Sequence, residues 1–171
     1  MLDCISGGIL LDCLFCKKES TNSKSVEHIV PESLGNKSDI LPKGVVCDKC
    51  NNYFSRKVEK PFFNLEATKS LRFRQEAPNK RGNIPSINGL LNLKYPTVIH
   101  KNLKESFYGS IELSSDGVNH IMQNQKGFIV SPIVEYDSRN TSVISRFLAK
   151  VALEAMAKRL MRGEVKYKIG Q

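Results

Sequence analysis

Apolar residues along this chain fall into two regimes. Up to about residue 65 they come in twos and threes between Cys, Asn and turn-forming residues, too few to stabilise a core without a metal or a neighbouring subdomain. Beyond residue 86, strand-like runs follow in close order: Ile87 to Leu93, Thr97 to His100, Phe107 to Leu113, Gly117 to Met122 and Phe128 to Val134. Asp116-Gly117 suits a hairpin turn between two of them, because glycine supplies a positive φ. Pro132 argues against a central place in the sheet for the last strand, since proline cannot donate to the ladder. Val143, Ile144, Phe147, Leu148, Val151, Ala155 and Met156 then recur at helical spacing. Thr141 or Ser142 is placed to cap that helix, Gly163 lies near its stop, and Lys158, Arg159 and Arg162 sit where cations suit its dipole. Between the regimes, Lys69 to Arg81 is basic without sustained periodicity, and Ala77 to Ser86 reads as a loop. The pattern predicts an α+β chain in three parts: a module at 1–65, a basic connecting segment at 66–86, and a β-rich subdomain at 87–171 closed by an amphipathic helix.

The composition, 171 residues with 40% hydrophobic and 25% charged, excludes disorder, and no apolar run reaches membrane-spanning length. Met1 to Leu14 holds no Lys or Arg, and Ile9-Leu10-Leu11 is too short for a signal-peptide core, so a cytoplasmic protein is expected. Charge changes the picture more. The net charge of +9 is the electrostatic signature of a polyanion binder. It is concentrated from Tyr53 to Lys104, where eleven Lys and Arg face three Glu. Within it Arg72, Arg74, Lys80 and Arg81 are candidate phosphate contacts.

Four of the five cysteines form two Cys-x-x-Cys pairs, Cys13/Cys16 and Cys47/Cys50, separated by 30 residues. Two residues between thiolates let a tight turn aim both sulfurs at one ion, and two such turns complete a tetrahedral structural Zn²⁺ site. Disulfides fit poorly without a secretory signal, and a redox pair would need only one motif. Cys4 is left over as a plain thiol.

Between the pairs lies Glu27-His28-Ile29-Val30-Pro31, then Leu34-Gly35-Asn36, and the second pair runs straight into Asn51. A Cys-x-x-Cys knuckle, an acidic-His-Ile-x-Pro segment, a Leu-Gly-Asn loop and Cys-x-x-Cys-Asn together resemble the HNH endonucleases, particularly their zinc-containing subgroup. The resemblance covers about Cys13 to Phe62. It implies a ββα-metal finger, with Glu27 and His28 at the end of a strand and Asn51 in the first turn of a following helix. Val26, Ile29 and Val30 favour a strand and Pro31 ends it, while Asp48 to Lys60 lacks Gly and Pro.

Phosphodiester hydrolysis needs a base for water, a cation for the phosphoryl and leaving oxygens, and positive side chains for the strand. His28 is the candidate base, because imidazole has the unperturbed pKa closest to neutral pH. Glu27 and Asn51 offer hard oxygen ligands to a catalytic Mg²⁺ or Mn²⁺, separate from the thiolate-bound zinc. Lys43, Arg56, Lys57, Arg72 and Arg74 are candidate substrate contacts. The resemblance implies DNA as substrate, one ion bridging the scissile phosphate and the 3′ oxygen, and 5′-phosphate and 3′-hydroxyl products. Basic charge does not distinguish ribose from deoxyribose, so RNA stays open. A lone site cuts one strand, so duplex cleavage calls for a homodimer or successive nicks.

Two departures from the family pattern stand out. The Asn that usually orients the catalytic His upstream of the second knuckle is replaced by Leu41-Pro42-Lys43-Gly44-Val45-Val46, leaving Asn36 or a loop carbonyl for that task. Glu27 stands where Asp is more common. Because successive strand residues face opposite sides, Glu27 and His28 can share a site only at a twisted strand end. Asn51, Ser55 and Glu59 share a helix face, and Glu59 is open to three roles: metal shell, orienting a basic residue, or pairing with Arg56. His100 and His120, without acidic or Cys neighbours at ligand spacing, read as structural or surface residues. The alternative function is a zinc-stabilised nucleic-acid-binding module without hydrolytic activity.

Overall fold

The computed structural model describes residues 12–79, 81–102 and 109–162. Cys4, Lys80 and Gly163, and the Ile9-Leu10-Leu11 run, lie outside the described residues. Helices and sheets both occur, and the chain is α+β. Among the described residues no helix is long and apolar enough to cross a membrane. The chain divides into two compact units, the first made of Met1–Pro31, Asn36–Pro61 and Ser142–Gln171, the second of Glu32–Gly35 and Phe62–Thr141. The linear reading drew its boundaries at 1–65, 66–86 and 87–171, whereas these units are discontinuous in sequence. The C-terminal helix groups with the cysteine-rich module, whose own apolar residues are too few to close a core.

In the first unit, strand β1 (Glu27–His28) pairs antiparallel with β2 (Ile40–Leu41), with Glu27 opposite Leu41 and His28 opposite Ile40. Helix α1 (Asp48–Phe54) follows, runs through a π-helical turn at Ser55–Glu59 and continues as α2 (Lys60–Phe63). The wider π turn, marked by Lys60 N–H donating to Ser55 O, breaks the regular spacing expected of Asn51, Ser55 and Glu59. Ile29, Leu41, Val45 and Val46 form a small buried core. Val151 and Ala155 of α5 (Thr141–Met161) pack against it. Gly44 has φ +88°, which lets the chain turn sharply from Pro42 into the buried Val45-Val46.

Helix α5 is rotated relative to the face expected from its apolar residues. Phe147 is buried as expected, but Leu148 and Met156 are exposed, and Lys150 and Glu154 take the inward positions. The physical reason is an ion cluster with the finger, described below.

The second unit holds helix α3 (Glu66–Arg74) and an antiparallel sheet in the order β5-β4-β3-β6, from β3 (Ile87–Leu91), β4 (Tyr95–Lys101), β5 (Gly109–Leu113) and β6 (Ile129–Val130). Helix α3 falls inside the segment read as a basic connection. Its buried face carries Thr68, Ser70 and Arg72 beside Ala67 and Phe73, so no apolar period marks it. The run Gly117 to Met122 is likewise a helix, α4 (Ser115–Asn124), rather than a strand behind a hairpin turn. Ser114 caps it by accepting from Gly117 N–H, Asp116 sits in its first turn, and Val118, Ile121 and Met122 follow at helical spacing. Only Ile129–Val130 of the last expected strand pairs, on the sheet edge and ending before Pro132, in keeping with proline's missing donor. His100 is tied to Ser86 Oγ at 2.8 Å and His120 to Asn92 at 2.7 Å, both inside this unit.

Candidate active site and cysteine cluster

The two Cys-x-x-Cys turns meet. The first is closed by Cys13 N–H donating to Lys18 O at 2.8 Å, and Leu14 N–H to Val45 O at 2.8 Å fastens it to the chain entering the second. In the second, Cys47 is the N-cap of α1, its sulfur accepting from Cys50 N–H at 3.4 Å. The sulfurs of Cys13, Cys16, Cys47 and Cys50 all lie within 4.8 Å of one another. Cys16 Sγ and Cys47 Sγ are 3.7 Å apart. A tetrahedral Zn²⁺ with four Zn–S bonds sets its sulfurs about 3.8 Å apart, so the residues present fit the ion.

Burial works against a Cys13 thiolate, but the backbone amides of Cys16, Cys47 and Phe15 outweigh it and bring the thiol down to about 6. Burial pushes Cys47 and Cys50 the other way, with the neighbouring sulfurs adding to it. The Cys13 thiolate forms readily, while Cys47 and Cys50 call for a cation to neutralise theirs.

The same helix start is stitched to β1. Asp48 accepts from Ser25 Oγ at 2.5 Å, from Ser25 N–H at 2.8 Å and from Lys24 N–H at 3.1 Å. The Ser25 hydroxyl and these amides hold its carboxyl below the usual range. One turn on, Asn51 Nδ2 donates to Val26 O at 3.3 Å, which leaves Oδ1 as the ligand atom of that side chain. Asp48 therefore has a positioning part that its place in the sequence, an acid in the first helical turn, marked only as a favourable helix start.

Glu27 is buried and His28 half-buried, the alternation of a regular strand rather than the twisted end expected for a shared site. Lys150 Nζ of α5 lies 2.5 Å from Glu27 Oε1, 2.8 Å from Glu59 Oε1, 3.1 Å from Glu154 Oε2 and 3.3 Å from the His28 carbonyl oxygen. Of the three roles open to Glu59, the geometry is that of a partner to a basic residue, and the residue is Lys150. Burial opposes charge on Lys150, but Glu154, Glu27 and Glu59 outweigh it and raise its pKa. Burial also pushes the Glu27 carboxyl up, against the pull of Lys150.

Burial pushes Glu154 up to about 8, again against the pull of Lys150. A folded-state pKa above the unfolded value means that this group's stabilisation is complete below about 4.3 and is lost as pH rises through about 8. Glu154→Gln, which cannot ionise, is therefore expected to match the wild type in melting temperature near pH 4 and to exceed it at pH 8.5. Parallel melting curves across that range would rule the assignment out.

Asn36 does not orient His28. Its Nδ2 donates to Val30 O at 2.6 Å and to Asp39 O at 2.9 Å, and its Oδ1 accepts from Ser38 and Asp39 N–H, so the whole amide is committed to the loop backbone. Arg72 is also corrected as a substrate contact. It is 8% exposed, donates to Ser33 O at 3.0 Å and Ala77 O at 3.2 Å, and lies over the Phe63 ring. A buried guanidinium satisfied by carbonyls cannot also reach a phosphate. Lys43, Arg56, Lys57 and Arg74 are exposed. Arg74 belongs to the second unit and donates to Ser70 Oγ and Pro132 O, each at 3.4 Å.

The segment carrying the cysteine cluster, β1 and α1 is also the segment that the comparisons pick out. Residues 13–65 match the HNH endonuclease family. No curated protein and no solved structure matches the chain. The HNH segment covers the four cysteines, Glu27, His28, Asn51 and Glu59, and ties the chain to a nuclease or nucleic-acid-binding role. Lys150 and Glu154, which hold Glu27 from the other side, lie outside it. Their only trace in the sequence is a Lys and a Glu at i and i+4 interrupting an apolar helical face.

Proposed function

We propose that this protein is a metal-dependent HNH endonuclease that hydrolyses phosphodiester bonds of DNA, with a structural Zn²⁺ on Cys13, Cys16, Cys47 and Cys50. The observation that carries the reading is the stitching of β1 to the start of α1 by Asp48 and Asn51, beside a four-sulfur cluster of zinc dimensions.

His28 accepts the proton of the attacking water. Asn51 Oδ1 and the Glu27 oxygen not engaged by Lys150 would hold a Mg²⁺ or Mn²⁺, hard oxygen donors that suit such an ion. A cation there supplies charge neutralisation at the phosphoryl and leaving oxygens. Lys43, Arg56 and Lys57, exposed on the same unit as His28, position the phosphate backbone. The first turn of α1 carries Asp48, so the helix dipole is already met by a carboxylate, and backbone binding falls to these side chains.

A second reading, a zinc-stabilised nucleic-acid-binding module without hydrolysis, is favoured by one observation: Asn36 is fully engaged by backbone and orients nothing else.

The test is incubation of the protein with supercoiled plasmid, with Mg²⁺ or Mn²⁺ and with EDTA. Nicked and linear products that need the ion support the nuclease. Binding of the same DNA should weaken steeply between 50 and 200 mM salt, by roughly tenfold or more for a few phosphate contacts. Salt-sensitive binding without cutting, in zinc-loaded protein, would move the assignment to the binding module. A salt-independent affinity would contradict the basic contacts in both.

A further inference from the structure

Lys150 is 2% exposed, and three carboxylates converge on its ammonium. A buried ion cluster rarely stabilises a fold more than apolar packing of the same volume would, because every charge in it has been taken out of water. Its presence is therefore better explained by what it holds in place. The four oxygens around Nζ come from three separate pieces of chain: β1 supplies Glu27 Oε1 and the His28 carbonyl, the π turn after α1 supplies Glu59, and α5 itself supplies Glu154. β1 is only two residues long and pairs with a two-residue partner, so its own ladder fixes it weakly. A directional ammonium reaching both the Glu27 side chain and the next residue's carbonyl defines the orientation of that strand far more closely than two ladder positions can.

We propose that Lys150 is the positioning residue of the candidate site, locking Glu27 and the His28 backbone of β1 to Glu59 of the finger helix, so that the HNH segment is complete only with α5 docked on it. The proposal rests on the nuclease reading. One oxygen of Glu27 is held by Lys150, and the other would meet an ion with the carboxylate's orientation already set by that bond. Groups that orient a metal ligand in this way typically change affinity or activity by roughly 10–100-fold when removed.

The experiment uses the full chain with Lys150→Met, which keeps length and loses charge, beside Lys158→Met. Lys158 lies on the same helix and pairs with the Asp39 side chain, so that control loses an ion pair without touching the Glu27 carboxylate or the His28 carbonyl. Three readouts are taken: Mn²⁺ affinity by the free-ion paramagnetic resonance signal, kcat and KM for plasmid nicking, and hydrogen exchange of the Glu27 to Ile29 amides. Lys150→Met is expected to weaken Mn²⁺ binding by about tenfold or more, to lower kcat by roughly 10–100-fold with KM little changed, and to speed exchange at β1. Zinc content should stay at the wild-type level. Lys158→Met should show none of these shifts.

Removing the lysine alone leaves acids buried without a counter-ion, so the triple variant Lys150→Met/Glu59→Gln/Glu154→Gln is made as well. It removes two of those acids while leaving Glu27 unlocked, and should show the same three shifts. A folded Lys150→Met or triple variant with wild-type Mn²⁺ affinity, kcat and β1 exchange overturns the proposal. So does Lys158→Met changing all three readouts to the same degree. If the wild type itself neither cuts nor binds Mn²⁺, the nuclease reading fails separately. Amide exchange then decides the lock: tenfold faster exchange at β1 in the triple variant upholds it, and unchanged exchange overturns it.

Discussion

Cys47→Ser is expected to lose its zinc and to melt roughly 20 °C or more below the wild type. Bound structural zinc is worth about 10–16 kcal/mol of apparent folding energy in isolated fingers. The core beside it consists of Ile29, Leu41, Val45 and Val46, too little to hold the two cysteine turns together unaided. For a chain of this size each kcal/mol lost at the transition moves the melting temperature by roughly 2–4 °C. Serine is a good N-cap, and residue 47 caps α1, so the substitution preserves the cap and removes one thiolate. The loss is thereby assigned to the metal site rather than to the helix. Zinc content by mass spectrometry under native conditions and a thermal melt check it, and EDTA should bring the wild type down to the variant's value. Unchanged zinc and an unchanged melt would refute the structural site.

His28→Ala should lower the rate of plasmid nicking by about 10²–10⁴-fold, the range that a positioned general base contributes. The variant keeps the backbone carbonyl that Lys150 reaches, so β1 stays anchored and only the imidazole is lost. Zinc content, melting temperature and the salt dependence of DNA binding are therefore expected to remain at wild-type values. That combination separates a lost base from a disturbed fold. Nicking within a few-fold of the wild type would remove His28 from the chemistry.

Much of the candidate site was legible because its parts are close in sequence or fixed by spacing. Two Cys-x-x-Cys pairs announce a four-sulfur cluster whatever the rest of the chain does, and Cys50-Asn51 places Asn51 one turn into the helix that the second pair begins. What escaped is polar and long-range. Asp48 looks like an ordinary helix start, yet it captures Ser25 and Lys24 and so sets β1 beside α1. Lys150 lies 123 residues from Glu27, and no local pattern pairs them. Arg72 counts as one more positive charge in a basic stretch, although burial under Phe63 turns it into a strut for Ser33 and Ala77.

The fold shows the same division. Strands β3, β4 and β5 follow from short apolar runs bounded by turn-forming residues, and α5 from its apolar spacing. Helices α3 and α4 were missed for different reasons. The buried face of α3 is half polar, which blurs its period, whereas α4 depends on the Ser114 cap prevailing over the turn preference of Asp116-Gly117.

By itself, then, the sequence determined the α+β class, the sulfur cluster and the HNH-like segment, because metal-ligand spacing and side-chain period are local properties of a chain. The tertiary structure alone decided which side of α5 faces inward and which lysine meets Glu27. A helix turns so that the charges it buries find partners, and a buried Lys150 without Glu27 and Glu59, which come from distant parts of the chain, would cost more than the exposure of Leu148 and Met156.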